Sequence, residues 1–322
     1  MPAAIVEKPG FLTTVQDLGR FGYRHLGVPV SGSIDTWALR AANLLTGNKP
    51  GSACLEMTLT GPTLRFLQDC LIAITGADIE PKINGRPAPM WECIFLKTGN
   101  ILTFGHCRRG CRSYLAFAGG IDVPLVLGSR STLLAAGFGG YGGRSLIAGD
   151  IIEIFDPGEE CAGSGEKYPE HLRPAFPSEI RVRVIKGINS DCFSAEEYEK
   201  FYRESFKVTV RYNRMGCILE AGAAVITKTP AVAESFPVTP GTVQVPPSGK
   251  PVVLLHDAQS TGGYPQIATV ITADLWRVGQ AVAGDLISFA ETSLEEAHRL
   301  LEMKHLTVSM VDSSAIELRQ IT

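Results

Sequence analysis

Chemistry is concentrated in the run Gly241–Ala268, GTVQVPPSGKPVVLLHDAQSTGGYPQIA, where strand-forming apolar residues deliver uncharged hydrogen-bonding side chains onto a glycine turn. Gln244, Gln259, Ser260, Thr261 and Tyr264 can donate to an oxygen that gains charge, and His256, Asp257 and Gln266 stand beside them. Such a set holds and polarises a substrate rather than attacking it, and one donor of this kind is worth about 3 kcal/mol in a transition state. Gly262 and Gly263 permit positive φ and close approach of a ligand to the backbone. An ordinary polar turn has the same composition. A second polar set, Asp17, Arg20 and His25, lies in the glycine-spaced segment 10–32, which reads as a site-lining loop or as a surface segment with an i,i+3 ion pair of little weight. His25 and His256 are possible proton carriers, although a lone histidine is more often structural.

Two further clusters invite chemistry and carry less of it. GFGGYGGRS (137–145) lacks the Gly-Lys-Ser/Thr ending of a phosphate loop, so it reads as a flexible loop in which Arg144 could hold a carboxylate. His106, Cys107 and Cys111 have no second half-site and two arginines between them, so no metal centre is expected.

The elements that position the main cluster read as strands. Thr242–Val245 and Pro251–Leu255 form a pair joined by Pro246-Pro247-Ser248-Gly249. From Cys54 to Val126, turns recur every eight to twelve residues, and Asn84-Gly85 is a hairpin signal. A glycine-polar turn followed by an apolar strand occurs at Gly99–Phe104, Gly149–Ile154 and Gly284–Phe289, hinting at duplicated barrel architecture. Ile180, Val182 and Val184 alternate with arginines, and Phe206, Val208 and Val210 mark the next strand. Helices are few. One follows Ser33 as its cap, with Asp35, Thr36, Arg40 and Asn43 on a solvated face; a second has the capping box Ser194/Glu197 and the staple Phe193/Tyr198; a third starts at the box Ser293/Glu296. The proline-rich segment 156–178 separates residues 1–165, an N-terminal half with the site-lining loop, from 166–322, a C-terminal half with its helix.

Composition sets the outer bounds. The 322 residues carry a formal charge of −3, which offers no basic face to nucleic acid or anionic lipid. No apolar run approaches 18 residues and no export signal opens the chain, so a cytoplasmic protein is expected. The eight cysteines (54, 70, 93, 107, 111, 161, 192, 217) form no CxxC pair and read as reduced, packed thiols.

The motifs TTVQDLGRFGYRHLGVPVSGSIDTWALRAANLLTGN, LEMTLTGPTLRF, RMG, GTVQVPPSGKPVVLL and QSTGGYPQIATV, in that order, resemble the family of 5-oxoprolinase C-type subunits, the KipA or allophanate hydrolase subunit 2 type, similar to part of the carboxyltransferase domain of urea carboxylase. The resemblance covers most of residues 8–290 and implies a mainly β fold of cyclophilin-like β-barrels, two related halves with a few peripheral helices. It implies two further 5-oxoprolinase subunits as partners, one of B type (KipI type) and one of A type, with ATP used by the complex to open the 5-oxoproline lactam to glutamate. In the carboxylase relatives the equivalent domain moves a carboxyl group from carboxybiotin, so biotin would come from a partner. A KipA-type antagonist of a kinase inhibitor, without catalysis, is the third implied role.

On these grounds Asp257, Gln259, Tyr264 and His25 are expected to be catalytic, and Gln244, Ser260, Thr261, Gly262, Gly263, Asp17, Arg20 and Arg214 to bind substrate. The chain departs from the family pattern at Asn213, Ile218 and Ala258, where an acid and two arginines are usual. Those arginines read either as an anion clamp or as a surface ion-pair network.

Overall fold

The computed structural model describes residues 1–158, 163–222, 224–225, 227, 234–304 and 306–307. Cys161 lies outside them. The chain divides into two units, Met1–Phe21 with Ser31–Ala175 and Thr307–Thr322, and Gly22–Val30 with Phe176–Leu306. The division falls at Ala175 rather than at residue 165 because residues 166–173 are tied into the first unit. The Cys93 N–H donates to the Glu166 carbonyl at 2.8 Å, the Tyr168 ring packs 5.5 Å from Trp91, and the Arg173 guanidinium returns to the Tyr168 carbonyl. The Gly22–Val30 excursion carries no signal in the sequence.

The first unit begins with β1 (Pro2–Lys8), β2 (Leu12–Gln16), α1 (Thr36–Leu45), β3 (Cys54–Thr58), β4 (Thr63–Phe66) and β5 (Cys70–Asp78). It continues through β6 (Lys82–Ile83), β7 (Arg86–Pro87), β8 (Cys93–Leu96), β9 (Ile101–Thr103), β10 (Arg109–Phe117) and β11 (Ile151–Glu153). The strands pair as a six-stranded sheet, β11-β1-β4-β9-β6-β7, and a five-stranded sheet, β2-β3-β10-β5-β8. Alternating apolar residues, among them Val6, Leu55, Met57, Phe66, Leu115 and Phe117, form one core, and α1 buries Leu39, Ala42 and Leu45 with Ala73, Tyr114 and Ala116 in another. Asn84 and Gly85 both have positive φ in the β6–β7 hairpin, as their residue types favour.

Two expectations for α1 are corrected. Its cap is Asp35, whose carboxylate accepts the Ala38 N–H at 3.1 Å, and not Ser33. Asp35 and Asn43 are buried, not solvated, because the chain around the helix supplies partners: Tyr114 Oη accepts the Asp35 N–H at 2.8 Å, and Asn43 donates to the Ser52 carbonyl at 2.8 Å. Tyr114 in turn donates to Glu56 at 2.7 Å, and Arg112 lies 3.8 Å from the other Glu56 oxygen, so charge is buried here only with partners.

The second unit holds β12 (Glu179–Lys186), α2 (Ala195–Arg203), β13 (Ser205–Tyr212), β14 (Gly216–Glu220), β15 (Phe236–Pro237), β16 (Thr242–Gln244) and β17 (Val252–Leu254). After them come β18 (Thr261–Gly262), β19 (Gln266–Val270), α3 (Leu275–Gln280) and β20 (Leu286–Glu291), and then α4 over 294–304. Seven strands close a barrel in the order β12-β19-β16-β17-β14-β13-β20, so the expected mainly β, barrel-containing fold is present. Its one parallel pairing, β20 with β12, completes the closure. The α2 cap and staple form as expected: Ser194 Oγ accepts the Glu197 N–H at 3.2 Å and the Phe193 and Tyr198 rings meet edge to face. Phe201 stacks on Phe289 at 4.4 Å, seating the helix on the barrel. The three glycine-polar turns precede β9, β11 and β20, and Gly99, Gly149 and Gly284 are left-handed in each.

Candidate functional site

Within the second unit, β13, β14, β16 and β17 and the 255–265 turn enclose a concavity of about 370 Å³. Gln244 enters it from β16, a residue only 3 % exposed, and its Nε2 donates to the Tyr264 carbonyl at 3.3 Å. That bond is long for an N–H···O contact and leaves the carboxamide open to a better acceptor. Gln259 and Tyr264, both exposed, line the same space. Val210, Met215, Ile218, Val252 and Leu254 line the rest of it. Apolar walls with a few convergent polar groups are the composition of small-molecule sites.

The glycine pair serves this geometry differently from the expectation. Neither Gly262 nor Gly263 has a left-handed φ. Thr261 and Gly262 instead form β18, paired with Pro237 and Phe236, and a Cβ at Gly262 would lie 2.6 Å from Gln244 Nε2. The missing side chain is what lets the turn lie against the carboxamide. The Ser260 carbonyl accepts the Val238 N–H at 3.0 Å, and neither Ser260 nor Thr261 lines the concavity.

Asp257 and Arg214 face each other. Arg214 donates from Nε and Nη2 to the two Asp257 oxygens at 2.8 and 3.0 Å, with 3 % and 4 % of the side chains exposed, and the Asp257 N–H donates to the Arg214 carbonyl. This planar two-bond pair ties the end of β13 to the turn after β17. The Asp257 carboxylate points at the arginine, at the start of the turn that carries Gln259.

Asp17 and Arg20 belong to the first unit. Asp17 accepts from the Gly19 N–H, the Ser129 and Ser131 hydroxyls and the Arg130 N–H, which joins the end of β2 to segment 129–131. Arg20 donates to the Ser131 carbonyl and covers the Phe138 ring at 4.9 Å. His25 lies in a short turn of the second unit, Arg24–Leu26, and is exposed; Arg24 fastens that turn by donating to the Val238 carbonyl. Of the predicted residues, the concavity gathers Gln244, Gln259 and Tyr264. Sequence reasoning missed Val210 as a wall residue, because its place in an alternating apolar strand pointed to the core.

The positions that depart from the family pattern behave unlike one another. Asn213 Oδ1 accepts the Met215 and Gly216 N–H groups at 2.7 and 3.2 Å, a local turn that asparagine makes as well as aspartate. Ile218 lines the concavity. Ala258 is buried with Val238 and Leu254.

The other clusters are internal. Arg144 forms a two-bond pair with Asp150 at 2.7 and 2.8 Å, and the Gly143 N–H donates to the Gly139 carbonyl at 2.7 Å, so the glycine-rich loop closes on itself. Cys107 Sγ lies 3.8 Å from the Cys111 carbonyl, and burial, aided by Cys111, pushes its thiol up to about 12. Among the described residues, no group of three or more His, Cys, Asp and Glu side chains is placed to hold a metal ion, and no helix is long and apolar enough to cross a membrane.

Residues 26–291 match the model of the carboxyltransferase domain, subdomain A and B. The chain is similar to the C subunit of 5-oxoprolinase from Escherichia coli, 38 % identical over 294 residues that cover 90 % of this chain and 91 % of that one. It is 34 % identical to urea amidolyase of Saccharomyces cerevisiae over 98 % of its length, and spans 18 % of that protein. Among solved structures, Kluyveromyces lactis urea carboxylase superposes with a TM-score of 0.90 at 34 % identity, covering 98 % of this chain and 30 % of that one.

Proposed function

This chain belongs to the carboxyltransferase-domain family, subdomain A and B, and we propose that within it the chain is the C-type subunit of a 5-oxoprolinase, opening a lactam amide together with A-type and B-type partners. The observation that carries the reading is the convergence of Gln244, Gln259 and Tyr264 on one concavity, in a chain similar over its length to a 5-oxoprolinase C subunit. Opening the lactam breaks the ring C–N bond and adds the elements of water, hydroxyl to carbon and hydrogen to nitrogen. The amide oxygen gains charge on the way. The Gln244 Nε2 donor, held only by a 3.3 Å bond, can turn to that oxygen, and Gln259 supplies a second carboxamide. The Asp257–Arg214 pair holds the Gln259 turn in place, which is where positional precision enters.

ATP drives the reaction from a partner in this reading. The glycine-rich segment 137–145 is closed by its own hydrogen bonds and Arg144 is engaged by Asp150, so the chain offers no phosphate cradle there. Mixing the chain with its A-type and B-type partners tests the proposal: glutamate and ADP should appear from 5-oxoproline and ATP, and Gln259→Ala should lower turnover by roughly tenfold to a hundredfold. No glutamate with partners that are active beside another C-type protein overturns it.

A second reading, carboxyl transfer to an amide nitrogen, draws on the superposition with urea carboxylase over 98 % of the chain. The same carboxamides would then hold the acceptor amide, and a biotin-bearing partner would supply the carboxyl group. Biotin-dependent incorporation of labelled bicarbonate by the native complex decides between the two.

A further inference from the structure

The β13 ladder breaks where the concavity begins. Val208 pairs with Leu219 and Tyr212 with Cys217, so Thr209, Val210 and Arg211 together oppose Ile218 alone. A bulge of this kind re-aims side chains. Phe206 and Val208 point into the core, whereas Val210 is turned out of it and stands 84 % exposed at the mouth of the concavity. Ile218 faces the same space from β14, and Val252 and Leu254 extend the apolar surface along β17. A valine held out of its own core by a bulge, in line with three further aliphatic side chains, gains burial only when something apolar is laid against it.

The polar groups confine the other end of such a ligand. Gln244 and Gln259 both donate and accept, matching an amide, and the rim adds one charged side chain, Arg211. At about 370 Å³ the space falls within the range of drug-sized ligands, larger than a bare five-membered lactam needs. We propose that, beyond a small lactam, the site also accepts an amide bearing an aliphatic substituent, its amide on Gln244 and Gln259 and its substituent on the Val210–Ile218–Val252 wall. The inference rests on the reading of this concavity as the amide-holding site.

Titration calorimetry of the full chain with 2-pyrrolidinone, 4-methyl-2-pyrrolidinone and 4-isobutyl-2-pyrrolidinone tests it. Each buried methylene is worth about fourfold in affinity, so the isobutyl compound should bind about tenfold or more tighter than the parent. Val210→Ser, at an exposed position where folding is little affected, should remove most of that gain, and Gln244→Ala should weaken all three. Equal affinities across the series, still lost in Gln244→Ala, overturn the aliphatic preference and leave the amide site standing. Binding of none of them, or binding indifferent to Gln244→Ala, overturns the site reading and the preference together.

Discussion

Asp17 and Asp257 occupy comparable places, each just after a strand in a glycine-bearing turn, and each is buried in its own unit by different means. Asp17 is held by uncharged donors, two backbone N–H groups and two serine hydroxyls. Asp257 is held by a single guanidinium. The difference lies in how the load is shared. Four neutral donors tolerate the loss of any one, while an ion pair at 3 % and 4 % exposure fails entirely when either partner is removed.

The largest effect should come from breaking the pair on one side. Arg214→Ala leaves a buried, uncompensated carboxylate and should cost about 4 kcal/mol in urea unfolding. Arg214→Met combined with Asp257→Leu should recover most of that loss, since a well-packed apolar pair of similar volume is often neutral. A double variant as unstable as the single would place the loss in packing rather than charge. Asp17→Ala should cost about 3 kcal/mol, and Ser129→Ala only about 1 kcal/mol, because the carboxylate keeps its other donors.

Smaller effects sharpen the contrast between holding a turn and using it. Gly262→Ala meets Gln244 Nε2 without straining the backbone, so stability should change little, while on the proposed function glutamate formation with the A-type and B-type partners should fall about tenfold. Unchanged turnover would separate Gln244 from the chemistry. The smallest change belongs to Arg144→Ala, which breaks a partly exposed pair and should cost under about 1 kcal/mol. Its pH signature is specific. Burial raises the Asp150 carboxyl, but the Arg144 and Ile147 hydrogen bonds outweigh it and hold the group below its ordinary value. The stabilisation is therefore present above about pH 4 and is lost as pH falls through the depressed folded value. Urea midpoints measured down this limb should converge for wild type and Arg144→Ala.

Local signals carried most of what was legible in the sequence. The α2 N-cap and staple, the Asn84-Gly85 hairpin and the strand pair on either side of Pro246–Gly249 are each set by a few neighbouring residues. The closed loop at 137–145 is a local matter too, and the carboxylate that Arg144 holds, Asp150, lies six residues on. What escaped is long-range. The Asp35 N–H finds its acceptor, Tyr114, 79 residues away on β10, and the pairing of Arg214 with Asp257 spans 43 residues. The polar residues of 241–268 are legible as a group, yet they divide according to contacts no spacing reveals: Gln244 and Gln259 reach the concavity, and Asp257 does not. Val210 misled for a related reason, since alternation predicts a face only while the register is unbroken.

The parallel pairing of β12 with β20 has a consequence for synthesis. These are the first and last strands of the barrel, joined along Glu179–Val184 and Leu286–Glu291. Until residue 291 has left the ribosome, β12 and β13 each present an unpaired edge, and about a hundred residues wait on one strand for closure. The barrel cannot ratify its own fold piecemeal, and during that interval it is most open to pairing with the wrong strand.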